Sequence, residues 1–376
     1  MKRRQVNRYT GKHATRTTQP PNYQTTKLLN YPTNMKTLLR TLTQIPAPSG
    51  REDELRAAVQ KMIQPYVDEI RVDALGNLIA RKGPSIAKHS GQAALKNGKR
   101  IMLAAHLDEI GLIVSHVDSN GFARFSALGR LSPHRRVGAR VKFLNGALGV
   151  IGLERDAEGK DRAPSLGKYF IDTGATSQKD SPVKIGDAAV YDSNFLDLGS
   201  RVASKCLDDR VGVALLIESL RNLKYSPHEI YYVFTVQEEV GGRGAGPAAY
   251  GLDPEIGLAV DVTIASDAPN TRAHNPIALG RGPAIKIKDA GVIADPRLVE
   301  SLTRLAEKNR IPHQFEVIES IGADARAMQI TGMGARAGGL AIPLRNLHSP
   351  SEMIDLRDAQ DTGRLLAAFL TDSKVS

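Results

Sequence analysis

The stretch Tyr231–Gly242, YYVFTVQEEVGG, constrains this chain more than any other. Tyr231–Val236 is an unbroken run of aromatic and β-branched residues, the composition of a strand covered on both faces of a sheet. The run stops at Gln237 and delivers two adjacent carboxylates, Glu238 and Glu239, ahead of Gly241-Gly242. Ligands of open α/β sheets bind outside the carboxyl ends of the strands. Two acids at such an end are either a solvated turn or the working part of a site, and the stretch alone leaves both readings open.

The flanking sequence alternates between helical and strand patterns. Met35–Ile45 and Arg51–Val67 read as helices. The second has Ser49 as a candidate cap, Glu52 and Glu54 in its first turn, and Leu55, Val59, Met62 and Ile63 on one face. Ile70–Ala80 reads as strand, turn at Gly76-Asn77, strand; Gly83–Lys99 as a polar loop; and Arg100–Ala105 as a short buried strand that hands over His106-Leu107-Asp108. From Asp118 to Gly199 the texture changes. Short β-like pieces (Arg140–Phe143, Leu148–Ile151, Tyr169–Ile171, Asp187–Tyr191) alternate with Gly, Asp and Pro turns, as in a small inserted β-domain. Helix and strand alternation then returns: helix Val211–Leu223 behind Asp208-Asp209, strand Ile256–Asp261, helices Asp295–Asn309 and Gly322–Thr331, strand Gly334–Ile342, a loop with His348, and a closing helix Ser351–Thr371. The expected fold is an α/β sandwich. Residues 36–117 and 200–376 form its main domain and 118–199 the inserted β-domain.

Charge does not point to a polyanionic partner. The net charge is +11, but residues 1–35 hold seven Lys/Arg and no acid, leaving 44 basic against 40 acidic residues in the rest. That leading segment, polar, Thr-rich and marked by Pro20-Pro21, has no apolar core of a secretory signal. It is expected to be a disordered tail or a misassigned start with Met35 as the true first residue; a transit peptide is the alternative. Nucleic-acid binding needs a basic stripe interleaved with aromatics; aromatics are 5% here, with no Trp. No apolar run approaches the roughly 18 residues of a membrane span. The single Cys206 rules out an internal disulfide and fits a reducing, cytoplasmic setting.

Five polar side chains stand at or just past predicted strand ends or a helix start: His106, Asp208, Glu239, Asp261 and His348. All are donors that Zn²⁺ or Co²⁺ accepts. Two divalent ions about 3.5–4 Å apart need a shared carboxylate and further ligands on each side, which this count supplies. Glu238 is then left beside them to carry a proton. Each residue also has a plain structural role open to it. His106 could be a core histidine, Asp208 or Asp209 a helix cap, Asp261 a loop acid, His348 a surface residue, and Asp108 a turn residue or the acceptor that orients the His106 ring.

Taken together and in order, Ala105–Val114 (AHLDEIGLIV), Ser204–Gly212 (SKCLDDRVG), Val236–Gly242 (VQEEVGG), Ala259–Thr263 (AVDVT) and Pro343–Ser349 (PLRNLHS) resemble the tetrahedral aminopeptidases. These are the glutamyl-aminopeptidase family of two-metal peptidases, some of whose members carry an endoglucanase label. The similarity runs from about Met35 to Leu370. The resemblance implies a three-layer α/β/α sandwich of the zinc-peptidase type. It implies that Asp208 bridges two metals, that Glu239 and His348 complete one site and His106 and Asp261 the other, that Asp108 supports His106, and that the Asp208–Asp209 peptide is cis. Glu238 would be general base and acid, deprotonating a metal-bridging hydroxide source and protonating the departing amine. Gly322, Ala323 and Asp324 match the family's substrate-side loop, where Thr is usual at Ala323; Asn346 replaces a usual aromatic and Cys206 a usual Ala. Also implied are two zinc or cobalt ions per subunit, short peptides with a free N-terminus as substrates, and a homo-oligomer, up to a twelve-subunit assembly built from dimers through the insert. Two rival readings follow. A glycan hydrolase needs two carboxylates about 5–5.5 or 6.5–9.5 Å apart and tends to use stacking aromatics. A non-catalytic scaffold needs a damaged ligand set, and every ligand position here is filled.

Overall fold

Seven helices and seventeen strands are distributed over one large sheet and one barrel in a computed structural model that describes residues 35–84, 98–131, 136–154, 164–271, 276–320 and 322–375. The expected tail over 1–35, apart from Met35, and most of the Gly83–Lys99 loop lie outside the described residues. The chain opens with α1 (Met35–Thr43), α2 (Asp53–Ile63), β1 (Glu69–Val72), β2 (Leu78–Lys82) and β3 (Arg100–His106). Barrel strands follow: β4 (Gly111–Val117), β5 (Ala123–Leu128), β6 (Arg140–Phe143), β7 (Leu148–Leu153), β8 (Tyr169–Asp172) and β9 (Ala188–Tyr191). The chain then returns to the sheet through β10 (Leu196–Leu198), β11 (Arg201–Ser204), α3 (Leu207–Asn222), β12 (Glu229–Thr235), α4 (Ala245–Leu252) and β13 (Ile256–Ile264). It finishes with β14 (Ala284–Lys288), α5 (Pro296–Lys308), β15 (Gln314–Val317), α6 (Ala325–Ile330), β16 (Arg336–Arg345), β17 (Glu352–Asp355) and α7 (Leu356–Thr371).

The sheet order is β1-β2-β12-β3-β13-β16-β17-β11-β10, with β14 and β15 branching from β16. Its centre, β12-β3-β13-β16, is wholly parallel. Side chains alternate between two apolar layers, as successive residues of a strand must. On β3, Ile101, Leu103 and Ala105 face one core and Met102 and Ala104 the other. The first core is closed by Leu39 of α1, Leu55 and Val59 of α2, Leu216 of α3, Leu302 of α5 and Leu366 of α7. The second is closed by Ala248 and Leu252 of α4 and Met328 of α6. Each buried Leu, Ile, Val or Met side chain among them stabilises the fold by about 1.5–3 kcal/mol relative to exposure. The result is the three-layer α/β/α sandwich expected from the sequence.

Strand direction places the site. The four central strands share one sense, so their carboxyl ends open on one edge, with Thr235 of β12 level with His106 of β3. Strand β11 is antiparallel to β17, which is antiparallel to β16. It therefore points the same way and delivers the start of α3 to that edge.

The barrel closes in the order β4-β5-β8-β7-β6-β9 around Val114, Phe125, Val141, Phe143, Ile151 and Ile171. Its boundaries differ from 118–199. It takes its first strand, β4, from the sequence ahead of 118, and β10 pairs with β11 in the large sheet. The segment that read as one long closing helix from Ser351 begins instead as β17, because Glu352–Asp355 pairs with Arg201–Ser204. Asp355 then caps α7, accepting from the Arg357 N–H. Helix α6 is shorter than the expected Gly322–Thr331.

Candidate metal centre

His106 closes β3 and is only 2% exposed. Its Nδ1 lies 3.0 Å from the backbone carbonyl of Asp108, and its Nε2 lies 3.0 Å from Asp208 Oδ1. The other carboxylate oxygen of Asp208, Oδ2, is 3.3 Å from His348 Nε2, which is itself 3.2 Å from Glu239 Oε2. One aspartate therefore presents each of its oxygens to a different histidine. Asp261 reaches the same cleft from within β13. That strand pairs with β3 only as far as Ala259, beside Ala104, so Asp261 stands beyond the point where β3 has turned away. The donor atoms of His106, Asp208 and Glu239 lie within 4.8 Å of one another, and so do those of His106, Asp209 and Asp261.

The surroundings hold these groups through backbone donors. Asp108 is fully buried, and its carboxylate supports the Glu238–Glu239 corner: Oδ1 accepts from the Glu238 N–H (2.9 Å) and Oδ2 from the Glu239 N–H (3.1 Å) and the Ser49 hydroxyl (2.6 Å). Asp108 also faces the His106 ring, as expected of it: its carbonyl lies 3.0 Å from Nδ1 and its carboxylate Oδ1 3.5 Å. Glu52 accepts from the Gly50 N–H (2.8 Å) and from the Gln237 N–H (3.1 Å), steadying a residue at φ +56°. The peptide between Asp208 and Asp209 is cis.

Two further acids contribute to the site, one that the sequence offers only as a helix cap and one that it does not mark. Asp209 is fully buried; with Asp208 it breaks the helical path near the start of α3, its Oδ1 accepts from the Gly212 N–H (3.0 Å) as the cap of the regular turns that follow, and its Oδ2 accepts from the His106 N–H (3.3 Å). Glu352 accepts from the Asp208 N–H (3.0 Å) and the His348 N–H (2.8 Å). No local signal marks it, because it read as an ordinary acid in the first turn of a helix. Of the substrate-side loop, Gly322 and Ala323 line the cleft, whereas Asp324 is buried behind its wall and accepts from the Thr235 hydroxyl at 2.5 Å. Cys206 is buried, and its thiol is pushed up to about 12 by that burial, which leaves it inert.

The cleft has a volume of about 540 Å³, and His106, Asp208, Glu238, Glu239, Asp261 and His348 all line it. Burial alone would depress the two imidazoles. Asp108 and Asp208 outweigh it at His106, and Asp208 and Glu239 outweigh it at His348, raising the latter to about 11. Burial lifts Glu238 well above the carboxylate range; His106 opposes that rise and Asp324, Asp261 and Glu239 reinforce it. Burial and then Asp208 lift Asp261 to about 7. Crowded, desolvated carboxylates, with no Lys or Arg ion-paired to Asp208, Glu238, Glu239 or Asp261 among the described residues, are costly unless cations compensate them. Mixed histidine and carboxylate donors suit zinc or cobalt, so the donor set fits the implied ions.

The barrel shares in the wall. Gly129, just past β5, sits at φ +82°, and a Cβ there would come within 2.8 Å of Ile110 Cγ2 and 3.2 Å of Glu239 Cβ. Only glycine allows so close an approach at that backbone angle.

Residues 83–365 match the family described as M42 glutamyl aminopeptidase. A lysyl aminopeptidase of Pyrococcus furiosus is 33% identical over 351 residues, covering 90% of this chain and 97% of that one. Among solved structures, an aminopeptidase from the archaeon Desulfurococcus kamchatkensis superposes with a TM-score of 0.83 at 39% identity, over 90% of this chain and 94% of that one. The Pyrococcus horikoshii TET1 peptidase, described as assembling into a tetrahedron or a large octahedral shell, superposes at 0.78 with 31% identity, over 90% and 99%.

Proposed function

This chain belongs to the M42 glutamyl aminopeptidase family, and from that premise we propose that it removes N-terminal residues from short peptides using two divalent cations and Glu238. Its activity is that of an aminopeptidase, a hydrolase of peptide bonds. Asp208 would be shared between the cations, with His106 and Asp261 holding one and Glu239 and His348 holding the other. The observation that carries this reading is the Asp208 carboxylate, whose two oxygens face His106 at 3.0 Å and His348 at 3.3 Å. Bound zinc or cobalt supplies Lewis acidity, polarising a carbonyl and acidifying water at neutral pH.

The chain's own residues do the rest. Asp108 fixes the backbone of Glu238 and so the place from which its carboxylate works. Glu238 takes a proton from the attacking water and returns it to the departing amine nitrogen; a carboxyl raised by burial is suited to both halves of that task. The cleft edge formed by Gly322 and Ala323 receives the substrate's first residue. Self-association belongs to the same proposal, on the strength of the TET1 assemblies, with the barrel as the contact between subunits. No helix among the described residues is long and apolar enough to cross a membrane; a cytoplasmic site of action is proposed from the single thiol.

A charge preference at the cleft is part of the same proposal. Among its described lining residues, the only Lys or Arg side chains are Arg130 and Arg326, and Arg130 donates to the Ser320 carbonyl at 3.1 Å. A panel of aminoacyl anilides, with carboxymethylcellulose as the glycan control, tests the function and this preference together. The zinc- or cobalt-loaded protein is expected to release anilide and no reducing sugar, and to turn over the glutamyl substrate faster than the lysyl one. Arg326→Ala is expected to narrow that ratio about tenfold, the effect of one charge-assisted contact. Sugar release without anilide release would overturn the peptidase reading, and an unchanged ratio in the variant would overturn the role of Arg326.

A further inference from the structure

We propose that Glu352 is a positioning residue that holds the two halves of the metal centre in register. The proposal rests on the reading above that the cluster holds two cations. Glu352 opens β17 and pairs across the sheet with Ser204, the last residue of β11. That register sets it between two loops that arrive from distant parts of the chain, one running to Asp208 and one carrying His348. It is 2% exposed. Both carboxylate oxygens are engaged: Oε2 accepts from the Asp208 N–H at 3.0 Å and Oε1 from the His348 N–H at 2.8 Å.

The second of these bonds restrains a backbone that has reason to relax. His348 sits at φ +57° and Asn346 at φ +60°, in the left-handed region that non-glycine residues seldom occupy. The His348 side chain is useful only while that conformation is kept, since its Nε2 faces Asp208 and Glu239. Glu352 makes no contact with the substrate side of the cleft and is absent from its lining. It acts through the peptide groups of the shared aspartate and of one terminal ligand. A carboxylate is the side chain for this task, because it offers two acceptors to two converging N–H donors. A glutamine offers one, and turns its own N–H₂ toward the remaining donor.

The test is a zinc titration of metal-depleted full-length protein against a chromophoric competing chelator, with metal content then measured by elemental analysis. Wild-type protein is expected to take up two equivalents. Glu352→Gln is expected to bind both more weakly, the equivalent at His348 by about 10–100-fold, the usual effect of removing a contact that orients a ligand, and the other by less. Glu352→Asp keeps two acceptors and is expected to fall between them, with the larger loss again at one equivalent. Two equivalents at wild-type affinity in Glu352→Gln would overturn the proposal. So would equal weakening of both equivalents in Glu352→Asp, which is what a purely structural role produces. A wild-type protein that binds fewer than two equivalents would defeat the functional reading itself, and this proposal with it.

Discussion

Glu238→Gln protein is expected to retain its divalent cations and to lose turnover by about 10²–10⁴-fold, the contribution of a positioned general base and acid. The substitution keeps the shape of the side chain and the backbone bond from the Glu238 N–H to Asp108. It removes only the capacity to accept and return a proton. Glu238 contributes no donor atom to either of the compact groupings around His106, so the cation-holding set is left whole. The measurement is kcat on an aminoacyl anilide beside metal content by elemental analysis. A fully active Glu238→Gln enzyme would rule out the role assigned to this residue. Loss of metal together with activity would move Glu238 into the ligand set.

Chelation is expected to abolish activity and lower the melting temperature, with zinc or cobalt restoring both. The physical reason is the crowding of Asp208, Asp209, Glu239 and Asp261 around His106, all buried or nearly so. Cations that bind the folded state and not the unfolded chain stabilise it by mass action. The effect carries a pH signature. Burial and then Asp208 raise the Asp261 carboxyl in the folded chain to about 7, above its unfolded value. A raised pKa contributes stability below the unfolded value, and that stability is lost as pH climbs through the folded value. His348, raised to about 11, keeps its contribution until far higher pH. The gap in melting temperature between loaded and stripped protein should therefore widen from pH 5 to pH 8. Activity or a melting temperature indifferent to chelation would contradict the proposed cofactor.

What could be read in the sequence follows from how each feature is encoded. The central strands are near-continuous apolar runs, so Tyr231–Val236 and Arg100–Ala105 announced themselves locally. The acids and histidines that follow them came with their positions, and His106, Asp208, Glu238, Glu239, Asp261 and His348 all meet in one cleft. Features set by long-range pairing were not readable. Glu352–Asp355 looks helical until Arg201–Ser204 pairs with it, and without that register nothing separates Glu352 from an N-terminal helix acid. The first barrel strand was merged with the sequence before it, because the break between His106 and Gly111 is made by the site loop and carries no turn composition. Asp108 illustrates a finer limit. Its nearness to His106 in the chain suggests one side-chain contact, yet its carboxylate also accepts from the Glu238 and Glu239 N–H groups across the sheet, and its backbone carbonyl comes closer to the ring than its carboxylate does.

The most direct measurement is anomalous X-ray scattering at the zinc edge from crystals grown with zinc. Two peaks are predicted in the cleft, one among His106 and Asp261 and the other among His348 and Glu239, both touching Asp208. A single peak, or peaks seated away from Asp208, would contradict the account.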